Sequence, residues 1–184
     1  MTLRFSTAFV LFFSSLILML GFTRCEAVVF QAGANQAVAG EQLRLPEGFK
    51  AERLYSVPKE QGSWVAMTTD PQGRLITSDQ YGKLYRVSVA GSEFDVEPID
   101  LSIGHAQGLL HAFGSLYVMA HGSEGRPAGL YRLQDRNNDD QYDQVELLRA
   151  MQGGGEHGPH AIVLGPDKES LYICAGNHTN LPEV

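Results

Sequence analysis

The 184-residue sequence holds only two cysteines, Cys25 and Cys174. Cys25 belongs to an N-terminal leader and is lost with it on cleavage, so Cys174 has no internal partner and a disulfide framework is excluded. Mid-strand between Ile173 and Ala175, Cys174 reads as a small buried hydrophobe rather than a reactive thiol. No C-x-x-C-H occurs, so haem cannot be attached within this chain. Basic residues are scarce: 14 Lys and Arg stand against 21 Asp and Glu, a formal charge of −7 without any cationic cluster. Such a body repels phosphate backbones, and nothing in the sequence points to nucleic acid as a partner. Helical periodicity is missing from every long stretch, so helices are expected to be short or absent.

The leader combines Arg4, an apolar core over 9–22 and the sequence Thr23-Arg24-Cys25-Glu26-Ala27, matching an export signal over 1–27 cleaved after Ala27. The same run is long enough for an uncleaved anchor, since about 18 apolar residues can span a bilayer. Arg24, where a small residue should precede the Cys, argues against a lipoprotein. On either reading the body is exported, to the periplasm, cell surface or medium, and membrane contact is confined to this segment. Residues 28–44, rich in Ala, Gly and Gln, read as a linker, and a first strand is expected over 50–57.

From Trp64 onward a pattern recurs. Strands over 64–69 and 74–78 flank the turn Asp70-Pro71-Gln72-Gly73, and a third follows over 82–87. The next round has strands over 109–112, 115–119 and 129–133, the first two joined at Phe113-Gly114. A third round has apolar runs over 161–164 and 171–175 joined by Gly165-Pro166-Asp167, a hairpin signal. Leu-Tyr-Arg recurs at 84 and 130, and the leading Leu of the second strand at 75, 116 and 171. Short antiparallel strands repeating every ~40–55 residues mark a β-propeller, one blade per round. The competing arrangement is an ordinary sandwich with coincidental Leu-Tyr pairs. The expected fold is therefore all-β: an incomplete propeller of about three blades over 45–184, where closure needs at least about four, so the chain reads as part of a longer protein.

In each round the start of the first strand and the end of the second share one end of the hairpin. That rule collects Ser63 and Asp79, Gln107 and His121, and His157 with Asn177 at a common mouth, with Glu156 and His157 beside Asn177 and His178. A metal held by His157, His160 and His178 is opposed by Pro159 and by extended geometry, in which residues three apart face opposite sides.

The blocks His105-Ala-Gln107-Gly-Leu-Leu and His157-Gly-Pro-His-Ala-Ile-Val-Leu-Gly-Pro-Asp, the latter followed by Leu-Tyr-Ile-Cys-Ala-Gly-Asn177, resemble the soluble quinoprotein glucose and sorbosone dehydrogenases. The resemblance is closest to planctomycete-type membrane-bound dehydrogenase proteins, in which a propeller precedes helical repeats and a c-type haem domain. It spans residues 45 to the C-terminus and is most specific in the His-Gly…Gly-Pro-Asp block. It implies a six-bladed propeller with pyrroloquinoline quinone (PQQ) on its axis, Gln107 against the cofactor, and His157 as the base that takes the hydroxyl proton of a sugar or alcohol. Electrons would then pass to cytochrome c or to a haem domain outside this chain. An imidazole suits the base role because it titrates near neutrality. Two departures stand out. Asn177 replaces the Asp that orients the catalytic His in the family, and an amide cannot stabilise the imidazolium as a carboxylate does. His160 stands where the family has Arg. With the later blades' basic contacts absent, these blades alone are not expected to turn over substrate. The alternative function is a noncatalytic propeller binding carbohydrate or a protein partner.

One further motif stands apart from that resemblance. Asp135, Asn137, Asp139, Asp143 and Glu146 occupy positions 1, 3, 5, 9 and 12 of a twelve-residue loop, with the Gln141 carbonyl at 7, the ligand spacing of a Ca²⁺ loop. Asp140 stands where Gly normally turns the chain, but Asp tolerates left-handed φ. The flanks read as strands, so the expected role is structural, as in an acidic strand connection rather than a helical calcium hand. A merely solvated acidic turn is the alternative.

Overall fold

Alternation of apolar and polar residues over short runs, punctuated by Asp, Gly and Pro, leaves the chain antiparallel strands as its main way to bury side chains. The computed structural model describes residues 38–39 and 43–180, apart from 92, 102 and 124. The signal segment over 1–27 and most of the linker lie outside the described residues. Within the linker, β1 (Val38–Ala39) pairs antiparallel with β2 (Glu52–Arg53). The strand expected over 50–57 is thus only two residues long. Beyond it Tyr55 stacks on Trp64, with ring centroids 5.4 Å apart.

Three sheets follow in chain order. The first is the meander β3 (Trp64–Thr69), β4 (Leu75–Asp79), β5 (Leu84–Ala90) and β6 (Glu93–Ile99). The second is β7 (His105–Ala112), β8 (Ser115–His121), β9 (Gly129–Gln134) and β10 (Gln144–Ala150). The third is the hairpin β11 (Pro159–Leu164) and β12 (Leu171–Ala175). All pairings are antiparallel. The helices described are single 3-10 turns at Lys59–Gln61 and Gly155–His157. The all-β expectation holds, and among the described residues no sheet closes into a ring.

The first two turns of the first sheet use one device. Asp70 Oδ1 accepts the N–H of Gln72 and Arg74 at 3.0 and 2.8 Å, and Asp79 Oδ1 accepts those of Tyr81 and Lys83 at 2.7 and 2.9 Å. Gly73 (φ 81°) and Gly82 (φ 103°) supply the left-handed residue that each turn requires. The signal is Asp-x-x-Gly followed by Arg or Lys, at 70–74 and 79–83.

All three leading hairpins share one irregularity. Val65 is extra between the pairs Trp64↔Asp79 and Ala66↔Ser78, and Gln107 between Ala106↔Ala120 and Gly108↔Met119. In β11, His160 and Ala161 stand against Cys174 alone, between Pro159↔Ala175 and Ile162↔Ile173. Each is a β-bulge at the same level of its hairpin.

The core divides by the period-2 faces of β8. Leu116, Val118 and Ala120 pack toward the first sheet, in one cluster with Ile76, Leu84 and Ile99. Tyr117 and Met119 face the third sheet, in a smaller cluster with Ala112 and Ile162. Each fully buried aliphatic side chain contributes about 1.5–3 kcal/mol. Cys174 departs from expectation: it is exposed, because β12 carries no strand on its outer edge among the described residues and Tyr172 and Ile173 beside it are exposed too.

Candidate functional site

The ends of the hairpins that begin β3, β7 and β11 meet along a seam. Ser78 Oγ donates to the Ala106 carbonyl at 2.9 Å, joining the first sheet to the bulge of the second. Gly108, next to Gln107, lies so close to the His160 carbonyl that a Cβ would overlap it. Gln107 is half-buried. The bulges bearing Gln107 and His160 therefore abut, and a bulge re-aims its side chain relative to the regular strand.

Around this seam gather imidazoles. His105 and His121 are cross-strand partners at the start of β7 and the end of β8. The His121 ring meets the His160 ring edge-on, with centroids 5.3 Å apart. His121 is buried, and its Nε2 has no hydrogen-bond partner. Burial, aided by neighbouring His160, holds the His121 pKa below the ordinary imidazole value. His160 Nε2 lies 2.6 Å from the Glu156 carbonyl oxygen.

His157 occupies the 3-10 turn that leads into β11 and is exposed. The hairpin does bring its outer ends together: Gly176 N–H donates to Gly158 O at 3.0 Å, and His178 N–H to His157 O at 3.1 Å. The ring facing His157 is that of His178, with centroids 4.8 Å apart. Asn177 is exposed in the adjoining turn, and no side-chain hydrogen bond of its own is formed among the described residues. His157 and His160 thus turn to different partners. Asp79, expected at the same mouth, is buried and spends its carboxylate on the turn N–H groups, with Tyr85 Oη 3.5 Å from Oδ2.

What sequence reasoning did not find is the contact between the Gln107 and His160 levels. The signal was positional: Val65, Gln107 and His160 each precede by four residues the member of the strand that pairs with Leu75, Leu116 or Leu171.

The acidic loop lies at the other end of the sheets. Asp135 accepts the N–H groups of Asn138, Asp139 and Asp140, Asn137 accepts that of Asp139, and Asp139 accepts that of Gln141. Asp143 accepts the N–H of Arg136 at 3.1 Å. Asp140 does take left-handed φ, 69°, as does Asn138 at 60°. Glu146 stands apart: its register partner in the ladder is Arg132, and its carboxylate binds that guanidinium instead of turning to the loop. Asp140 reaches across to the first sheet, where both its oxygens accept from Arg74, which also binds Asp70. This pairing raises the Arg74 pKa and lowers that of Asp140. Gln141 Nε2 donates to Glu97 at 3.1 Å, and Tyr142 lies against the buried Arg86 guanidinium, 5.8 Å from ring centroid to Cζ. The loop therefore clamps the second sheet to the first.

Among the described residues no group of three or more His, Cys, Asp or Glu side chains is placed to hold a metal ion. No protein-family model matches the chain, and no curated protein matches it.

Proposed function

We propose that the chain supplies the opening blades of an exported β-propeller of the quinoprotein sugar or alcohol dehydrogenase type, with the three sheets as successive blades about one axis. The observation that carries the reading is the bulge repeated at one level, which sets Gly108, beside Gln107, against the His160 carbonyl, with the His160 ring on the buried His121, whose Nε2 is unpartnered, and with the turn that holds His157 leading into the same strand. What supports the reading is the donor set that a planar quinone such as PQQ would meet: the Gln107 amide and the His121 and His157 imidazoles, while Asp79, a carboxylate at the end of the first hairpin, is already committed to its turn.

When bound, the quinone supplies the acceptor for the hydride equivalent leaving the substrate carbon. Gln107 would hold the cofactor by hydrogen bonding. His157, open to solvent at the mouth, would accept the hydroxyl proton on a ring nitrogen, and Asn177 in the facing turn would orient the substrate or that ring. Electrons would leave to cytochrome c or to a haem domain. Ca²⁺ belongs to the same proposal as a structural ion: Asp135, Asn137, Asp139, Asp143 and the Gln141 carbonyl would have to turn toward one point to hold it, because as placed these side chains accept the loop's own N–H groups, and Glu146 is left to Arg132.

A second reading, a noncatalytic propeller that binds carbohydrate or a protein partner, is favoured by one observation: His157 faces the ring of His178 and no carboxylate. Titration of the full-length protein with PQQ, followed by dye-linked oxidation of aldoses and alcohols, separates the two. The dehydrogenase reading expects quinone binding that Gln107→Ala weakens and turnover that His157→Ala abolishes. Glycan binding with neither quinone binding nor turnover would leave the second.

A further inference from the structure

We propose that the open edge of β12 is a docking site for an added antiparallel strand of the type Leu-Tyr-Arg followed by an apolar residue, backed by a second strand with a carboxylate opposite the Arg. The inference concerns the sheet edge and is independent of the quinone reading.

It rests first on a mismatch between sequence and exposure. β12 reads Leu171-Tyr-Ile-Cys-Ala and β8 reads Leu116-Tyr-Val-Met-Ala over the same hairpin positions, with the same bulge beside them. β8 lies between β7 and β9 and is buried throughout. β12 has β11 on one edge and no strand on the other among the described residues, and four of its five residues are exposed. It has the composition of an inner strand in the position of an outer one.

The true outer strands show the contrast. β6 carries Glu93, Asp95, Glu97 and Pro98, and β10 carries Glu146 and Arg149, the charges and proline that stop an edge from pairing. β12 has neither charge nor proline. Its backbone is also poised. Gly165 N–H donates to Ser170 O at 2.7 Å, so by antiparallel alternation the N–H and C=O groups of Leu171, Ile173 and Ala175 point to the open edge.

The two complete sheets specify the occupant. The strand on this edge is β5 in one and β9 in the other, both carrying Leu-Tyr-Arg, from residue 84 and from residue 130. The registers agree: Leu75↔Val87 and Leu116↔Leu133, Ile76↔Arg86 and Tyr117↔Arg132, Thr77↔Tyr85 and Val118↔Tyr131, Ser78↔Leu84 and Met119↔Leu130. In both, the Arg is opposed on the outermost strand by a glutamate, Glu97 or Glu146. Carried onto β12, this register sets Arg opposite Tyr172, Tyr opposite Ile173 and Leu opposite Cys174. A second copy of the chain is a poor source, since its own β5 and β9 are each paired on both edges.

The exposed Cys174 makes the register measurable. It would form a non-hydrogen-bonded pair with the incoming strand, where the Cα separation of ~4.5 Å suits a disulfide. The probe is a hairpin peptide copying residues 84–99, with a cysteine introduced as Leu84→Cys, Tyr85→Cys or Arg86→Cys and presented as its mixed disulfide with thionitrobenzoate. The Cys174 thiolate attacks the peptide sulfur and expels coloured thionitrobenzoate, giving the protein–peptide disulfide. Capture by the full-length chain should be at least about tenfold faster for Leu84→Cys than for the other two. Ile173→Pro, which removes a donor facing the open edge, should abolish the preference while the thiol stays reactive to free reagent. Equal rates for the three peptides, or Cys174–Cys174 dimers forming faster than any peptide adduct, would overturn the proposal.

Discussion

The seam between the first and second sheets and the seam between the second and third are built from the same hairpin but held by different chemistry. The first has the larger apolar cluster, with Ile76, Leu84 and Ile99 against Leu116 and Val118, and it is clamped at its far end by Asp70, Arg74 and Asp140. The second has four clustered buried residues, no ion pair among the described residues, a glycine contact and two packed histidines. A repeated backbone can thus carry one joint that resists dissociation through burial and charge and another that depends on close fit and on packed imidazole rings. The residues proposed for binding and proton transfer sit on the second.

Four changes would break or sharpen that contrast. Gly108→Ala should be the most damaging, because the new methyl overlaps the His160 carbonyl and crowds Met119 Cβ; overpacking of this kind costs about 2–3 kcal/mol, read from chemical denaturation. Arg74→Ala should cost less, about 1–2 kcal/mol, since Asp140 is half-exposed and Asp70 keeps its backbone donors, and high salt should shrink the difference.

Acid should act on the second seam. The folded state lowers the His121 pKa, so the unfolded chain binds more protons as pH drops through about 6.5, and stability present above that value is lost below it. Amide exchange of Pro159–Leu164 and Leu171–Ala175, corrected for intrinsic rates, should accelerate between neutral pH and pH 5 in the parent and much less in His121→Asn. A parent whose hairpin shows the same protection at both pH values would remove the contrast. The smallest effect is expected from Ca²⁺: a rise in melting temperature of about a few degrees that Asp135→Ala eliminates.

The strands legible in the sequence were those whose alternation matched their burial. Strands β3, β9 and β12 fall at their expected positions, and β4, β5, β8, β10 and β11 within a few residues. β6 was not legible, because Glu93, Asp95, Glu97 and Pro98 give it the composition of a loop; these are the residues that suit an outer edge. The start of β7 was hidden for a related reason. His105 and Gln107 interrupt the apolar run because they face the mouth. The convergence of the hairpin ends could be inferred from two turns and a repeat. The identity of neighbours within the mouth could not, since His178 against His157 and His121 against His160 depend on where one extra residue falls. Cys174 was misjudged because its sequence context is that of a covered strand, and sequence gives no account of whether a cover is in place.

The unpaired residue in the ladder has a consequence for parity. From Gly108 to Ala112 the side chains of β7 alternate between two layers, and the extra residue at Gln107 shifts that parity, so that Ala106 joins Leu109 in the same cluster and His105 meets solvent. Deleting Gln107 would leave Ala106 opposite Ala120 and His105 opposite His121 in an uninterrupted ladder, so both would keep their environments and only the residue that the bulge adds at the opening would be lost. One residue without a partner thereby adds a polar side chain at the tip of a strand that serves an oily neighbour along most of its length.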